Sequence, residues 1–286
     1  MKALPDCIPC MFKQALNTVR ATTDDPAVEQ AVLQRLAGVV ETLKMDDTPA
    51  GVSQNVYRVI AEVTGETDPY REQKAASNRE ALQVLPELEA LVKDADDPLL
   101  AAIHLAAVGN IIDMGIGAGH DFDIQRDVRP MLETPLAVEH VADFRADLAK
   151  ARQVLFLCDN AGEIVFDRVF IEQIRACGPS VTASVKSGPV INDALMEDAE
   201  TAGLPAVATV IETGSDDIGV NWSRCSDQFR AAYDAADVVV SKGQGNFETV
   251  SGQPGNVYFL LKAKCECVAR ALGVQFGDIV FEHSRG

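Results

Sequence analysis

The chain has 286 residues, 47% hydrophobic and 24% charged, the composition of a packed protein with room for two modest domains or one large one. Its 43 acidic and 25 basic residues leave a net charge of −18, which repels phosphate backbones and argues against nucleic acid as a partner. No apolar run approaches the ~20 residues of a bilayer span, and MKALPDCIPC at the start lacks the apolar stretch of a secretory signal, so no membrane is expected as a partner.

Seven cysteines, an odd number without framework spacing, imply thiols that are free or metal-bound in a reducing, cytoplasmic setting. Cys7-x-x-Cys10 is expected ahead of the first helix. It is half a zinc site at most, with Cys265 and Cys267 as the companions at close spacing. Metal or redox use and a simple packing role both remain open for it.

The first half reads as helices. Asp25 and Pro26 open one as N-cap and first helical residue, and Val28, Val32, Leu33 and Leu36 follow helical spacing. A second is expected from Ser53 as cap to Gly65 as the terminating glycine. Asp68-Pro69 and Asp97-Pro98 repeat the Asp-Pro start. Residues 121–136 are the least regular stretch and are expected to form the connection. Around residue 150 the pattern changes to short β-branched runs: VLFL (154–157), VTASV (181–185), VATVI (207–211), VVVS (238–241) and VYFLL (257–261). Such runs alternating with helical stretches predict a buried, mostly parallel sheet with crossover helices. The expectation is therefore an all-helical domain over 1–148 and a three-layer, Rossmann-like α/β domain over 149–286.

In an open α/β sheet the ligand site lies beyond the carboxyl ends of the strands. Polar residues recur there strand after strand. Cys158, Asp159, Asn160 and Glu163 follow VLFL; Lys186, Asn192 and Asp193 follow VTASV; Lys242, Gly243, Asn246 and Glu248 follow VVVS. Asp159, Asn160 and Asp193 would make an open set of hard oxygen ligands suited to Mg²⁺ or Mn²⁺. Both aspartates could equally be helix N-caps. The ammonium groups of Lys186 and Lys242 at the same edge tip the balance toward a metal-plus-phosphate site. Cys158 has no histidine near it in sequence and reads as a small buried hydrophobe.

Several rivals fail. The sequence has no GxxxxGK[ST] and no Gly-x-Ser-x-Gly elbow. Gly115 to Gly119 runs into His120 without a preceding strand, Asp121-Phe122-Asp123 likewise lacks one, and the four histidines form no zinc spacing.

Taken in order, these segments resemble the family once labelled domain of unknown function 89, the metal-dependent damage-control phosphatases. The resemblance rests on Cys7-Ile8-Pro9-Cys10 with Gln14; Asp68-Pro69-Tyr70 with Lys74 and Asn78; and Gly109-Asn110-Ile111-Ile112-Asp113. It continues through Cys158-Asp159-Asn160-Ala161-Gly162-Glu163, Lys186 with Asn192-Asp193, Lys242 to Glu248, and Leu261 to Cys265. The N-terminal CxxC is similar to that of the short, mostly microbial branch. The resemblance implies a divalent metal (Mg²⁺, Mn²⁺, Co²⁺ or Ni²⁺) on Asp159, Asn160 and Asp193. It implies that Lys242 to Asn246 faces a substrate phosphate, and that Asn110 and Asp113 close the site from the helical domain.

The expected activity is hydrolysis of a small phosphorylated metabolite, such as a sugar phosphate. Asp159, Lys242 and Lys186 are the catalytic residues; Asn110, Asp113, Glu163, Gly243, Asn246 and Glu248 surround the substrate. The attacking group is either a water on the metal or Asp159 itself. A non-catalytic metal- or phosphometabolite-binding protein is the alternative. Carboxyl methyl transfer ranks below both, because no glycine-rich methyl-donor site follows the first strand.

Overall fold

A computed structural model describes residues 1–116 and 134–285; Gly117 to His120 and the Asp121-Phe122-Asp123 segment lie outside the described residues. The first helix, α1, spans Cys7–Arg20, so Cys7 and Cys10 belong to its opening turn rather than preceding it. Helix α2 (Pro26–Val40) begins as expected, with the Asp25 carboxylate accepting from the Ala27 amide at 2.8 Å. Helix α3 (Pro49–Thr64) starts one turn before Ser53. Thr48 is the cap, since a Thr-Pro pair supplies both an acceptor for the Gly51 amide and a pre-set φ. Gly65 ends α3 in the left-handed conformation at φ +75°. Helix α4 is Arg71–Lys93 and α5 is Pro98–Ile116. Asp68 does not cap α4; its carboxylate takes the buried Lys74 ammonium at 3.1 Å instead.

The remainder is α/β: β1 (Val138–Glu139), α6 (Val141–Leu148), β2 (Gln153–Leu157), α7 (Glu163–Ala176), β3 (Ser180–Val185), α8 (Met196–Thr201), β4 (Thr209–Glu212), α9 (Asp227–Ala235), β5 (Val238–Lys242), α10 (Gln244–Val250), β6 (Asn256–Lys262), α11 (Glu266–Leu272) and β7 (Ile279–Arg285). The seven strands lie in the order β1-β7-β6-β5-β2-β3-β4, all neighbours parallel except β6 and β7. The five expected strands are present. β1 and β7 were not expected from the sequence: β1 is two residues long, and β7, which follows α11, pairs antiparallel with β6.

Alternation along the strands divides the core. Val154 and Phe156 of β2 face a cluster built with α4 to α7, whereas Leu155 and Leu157 face α9 to α11. Helices α1 to α3 carry a separate cluster around Met11, Leu36 and Val56. Helices α4 and α5 thus share the core of the sheet, and the sheet itself takes in Val138, ahead of residue 149. Among the described residues no helix is long and apolar enough to cross a membrane.

Candidate active site

The sheet reverses its winding between β2 and β5. β3 and β4 build outward on one side of that pair, β6 and β7 on the other. Such a switch point opens a crevice at the strand ends. Asp159 follows β2 and Gly243 follows β5, so both stand at its mouth. A Cβ on Gly243 would lie 2.0 Å from Asp159 Oδ2, and Gly243 adopts φ +80°, ψ 162°, a conformation reserved to glycine.

The loop after β3 is tied to the loop after β2. The Ala194 amide donates to Asp159 O at 2.8 Å and the Ala161 amide to Asn192 O at 2.9 Å, pairing Asn160 with Asp193. This lock holds Ile191 at φ +47°, the one positive-φ residue other than glycine among those described. A β-branched side chain resists that conformation at a cost of about 1–3 kcal/mol. Strain therefore collects beside Asp193. From α4, Asn78 accepts the Gly162 amide at 2.7 Å and donates to Asp198 at 2.7 Å, bracing the same loop from the helical side.

Asn160 donates its amide to Asp159 Oδ2 (3.0 Å) and Glu163 Oε2 (3.3 Å). Burial, then the Asp193 and Glu163 charges, push the Asp159 carboxyl well above the usual carboxylate range. Burial likewise raises Asp193, against the opposing pull of Lys186. Crowded carboxylates that resist ionisation are what a bound cation would relieve. Asp159, Glu163, Asp167 and Asp193 gather here against the two buried lysines, Lys186 and Lys242. Fully ionised, the four carboxylates would leave two negative charges over the two ammonium groups, the charge of one divalent ion. The oxygens of Asp159, Asn160 and Asp193 therefore fit a hard dication, with a cavity of about 570 Å³ on their open side.

Neither lysine is among the residues lining that cavity. Lys242, fully buried, donates to Glu163 Oε1 and Asp167 Oδ1, both at 2.5 Å. Burial lowers its affinity for a proton, but the two carboxylates outweigh this and the net shift is upward. Lys186 is buried too, hydrogen-bonded to Gly219 O and 3.5 Å from Asp193 Oδ2. Both ammonium groups thus have partners inside the protein. Asn246 is similarly occupied, donating to Cys158 O (3.0 Å) and Lys242 O (2.8 Å), which straps β2 to β5. Cys158 is buried, as expected.

Lys264, exposed just beyond β6, is the cation that does line the cavity, and its charge acts on both Asp159 and Asp193. Sequence reasoning took it in only as part of the Leu261 to Cys265 match and gave it no role, although it stands at the same sheet edge. Glu248 lines the cavity as well and accepts from Gln244 Nε2 at 2.8 Å; burial pushes its carboxyl up to about 7. Glu163 and Gly243 border an adjoining cavity of about 330 Å³ that shares Gln244 and Lys264 with the first. The side chains of Asn110 and Asp113 lie outside the described residues. Cys7, Cys10, Cys265 and Cys267 all line the larger cavity, so segments from the two ends of the chain bring their thiols to one wall. Among the described residues no three His, Cys, Asp or Glu side chains converge as a metal-binding group.

Known proteins resemble this chain over nearly its whole length. Residues 3–280 match the domain described as Damage-control phosphatase ARMT1-like. A damage-control phosphatase of Pyrococcus horikoshii is 34% identical over 98% of this chain and 97% of its own. Another, from Archaeoglobus fulgidus, is 34% identical over 98% of each chain. An uncharacterised protein of Methanocaldococcus jannaschii is 33% identical over 98% of this chain and 95% of its own. A crystal structure of a DUF89 family protein from Pyrococcus horikoshii superposes with a TM-score of 0.91 at 32% identity, covering 100% of both chains.

Proposed function

The chain belongs to the damage-control phosphatase ARMT1-like family, and from that premise we propose that it is a metal-dependent phosphatase hydrolysing a small phosphorylated metabolite, a sugar phosphate being the representative substrate. The observation that carries this reading is the excess of carboxylate over ammonium at the β2/β5 switch point, opening onto a cavity of small-metabolite size.

Asp159, Asn160 and Asp193 would hold the dication, Mg²⁺, Mn²⁺, Co²⁺ or Ni²⁺. When bound, it supplies Lewis acidity toward the phosphoryl oxygens. The protein's own residues then orient and balance charge. The Asn160 amide nitrogen is held by Asp159 and Glu163, which leaves its carbonyl oxygen for the cation. Lys264 stands where it can meet charge building on the equatorial oxygens of a phosphoryl group in the cavity. Lys186 stays on Asp193 and favours its ionised form against burial.

The test is a phosphatase screen over a metabolite panel with each of the four metals, run beside Asp159→Ala. Turnover in the wild type with loss of both turnover and calorimetric metal binding in folded Asp159→Ala is expected. A capping role alone would cost about 1 kcal/mol of stability and leave activity intact. Metal binding without turnover of any phosphate ester would return the protein to the class of non-catalytic binders.

A further inference from the structure

Asp167 follows Glu163 by four residues on α7, so the two carboxylates share one helix face. Both grip the ammonium of Lys242 at 2.5 Å. The other oxygen of Glu163 accepts the Asn160 amide, whose nitrogen also reaches Asp159. A continuous chain of contacts thus runs Asp167, Lys242, Glu163, Asn160, Asp159, from the dry core to the cavity wall.

The arrangement is more than charge balance needs. One carboxylate suffices to compensate one buried lysine, and a second carries a desolvation penalty of its own. The penalty shows: Asp167 Oδ2 has no hydrogen-bond partner, and burial pushes this carboxyl up to about 7 against the pull of Lys242. A residue kept at such cost has a task. Two acceptors fix the ammonium in two directions, where a single one would let it swivel. A fixed ammonium fixes Glu163 Oε1, and so aims Oε2 at Asn160. The Asn160 side chain has two chemically different ends, and only the oxygen can ligate a cation. Glu163 decides which end faces the cavity.

We propose that Asp167 is a positioning residue for the metal site, acting through Lys242 and Glu163 to hold the Asn160 carbonyl oxygen toward the cation. The proposal rests on the metal-dependent reading above. Outer partners of this kind change metal affinity by roughly 10–100-fold when removed.

The test is Mn²⁺ calorimetry on the full chain in four forms: wild type, Asp167→Asn, Glu163→Gln and the double variant, each with its circular dichroism and metal-free thermal unfolding recorded. Asp167→Asn keeps the size of the side chain and an acceptor for Lys242, so the fold should persist. Its Mn²⁺ affinity should fall at least tenfold. Because both residues act through one contact, the double variant should bind no more than about twofold more weakly than the weaker single one. A folded Asp167→Asn protein with wild-type affinity, or losses that simply multiply in the double variant, would overturn the positioning role while leaving the metal site standing. A purely structural Asp167 would shift metal-free unfolding alone, and that too counts against it. Wild-type protein that binds no Mn²⁺ would remove the metal reading and this inference together.

Discussion

Gly243→Ala separates the backbone's part in the site from its part in the fold. At φ +80°, ψ 162° an alanine is strained by about 1–3 kcal/mol, and folding should weaken by that amount. The effect on the site is larger. The new Cβ would stand 2.0 Å from Asp159 Oδ2, 2.1 Å from its Cγ and 2.4 Å from Oδ1, against the 3.0 Å below which real contacts essentially never fall. Asp159 must therefore retreat by about 1 Å, whereas metal–oxygen distances tolerate only about 0.2 Å. Loss of one carboxylate ligand should lower Mn²⁺ affinity at least a hundredfold, equivalent to about 2.8 kcal/mol. Urea denaturation of the metal-free protein and calorimetry with Mn²⁺, on one preparation, read the two effects apart. Affinity within threefold of wild type would refute the placement of the metal on Asp159, because no packing of that Cβ leaves Asp159 where it is.

Two further outcomes follow from the cavity. Lys264→Met should cut kcat on a phosphate ester by tenfold or more, about 1.4 kcal/mol of barrier, while leaving metal-free stability unchanged because the side chain is exposed; undiminished turnover would remove it from the site. For Glu248, burial raises the folded-state pKa from 4.5 to about 7, so between those values the folded protein holds a proton that the unfolded chain has released, and stability falls as pH rises. The contribution is absent below about pH 4.5 and fully felt above 7, at up to about 3 kcal/mol. Unfolding free energies of wild type and Glu248→Gln should thus converge near pH 4 and separate toward pH 8, with the variant the more stable; parallel profiles would mean that Glu248 titrates normally.

The sheet was legible because its central strands are buried on both faces and so read as unbroken apolar runs at even spacing. β1 and β7 escaped for physical reasons. Two residues carry no period, and Ile279–Arg285 pairs antiparallel with an apolar run of only Ile279, Val280 and Phe281 before polar residues. The α3 start moved from Ser53 to Thr48 because Pro49 outweighs a serine further on. Asp159, Asn160 and Asp193 could be picked out because a strand end is a place that sequence does specify.

Strand ends specify position but not direction, and the lysines show where that matters. Within a strand, direction alternates with period two. Val238, Val240 and Lys242 therefore share a face of β5, and Val238 and Val240 pack in the cluster that contains α7. Parity alone turns Lys242 toward α7, and α7 begins with carboxylates at 163 and 167, spaced to meet one ammonium. The pairing was thus written in the sequence as two periods, 2 in the strand and 3.6 in the helix, that coincide at one point. Lys264 obeys neither, since it lies past the end of β6, where no neighbouring strand dictates its direction. A long cation free of the pleat, at the rim of an acidic cavity, is the one we propose to meet a phosphate.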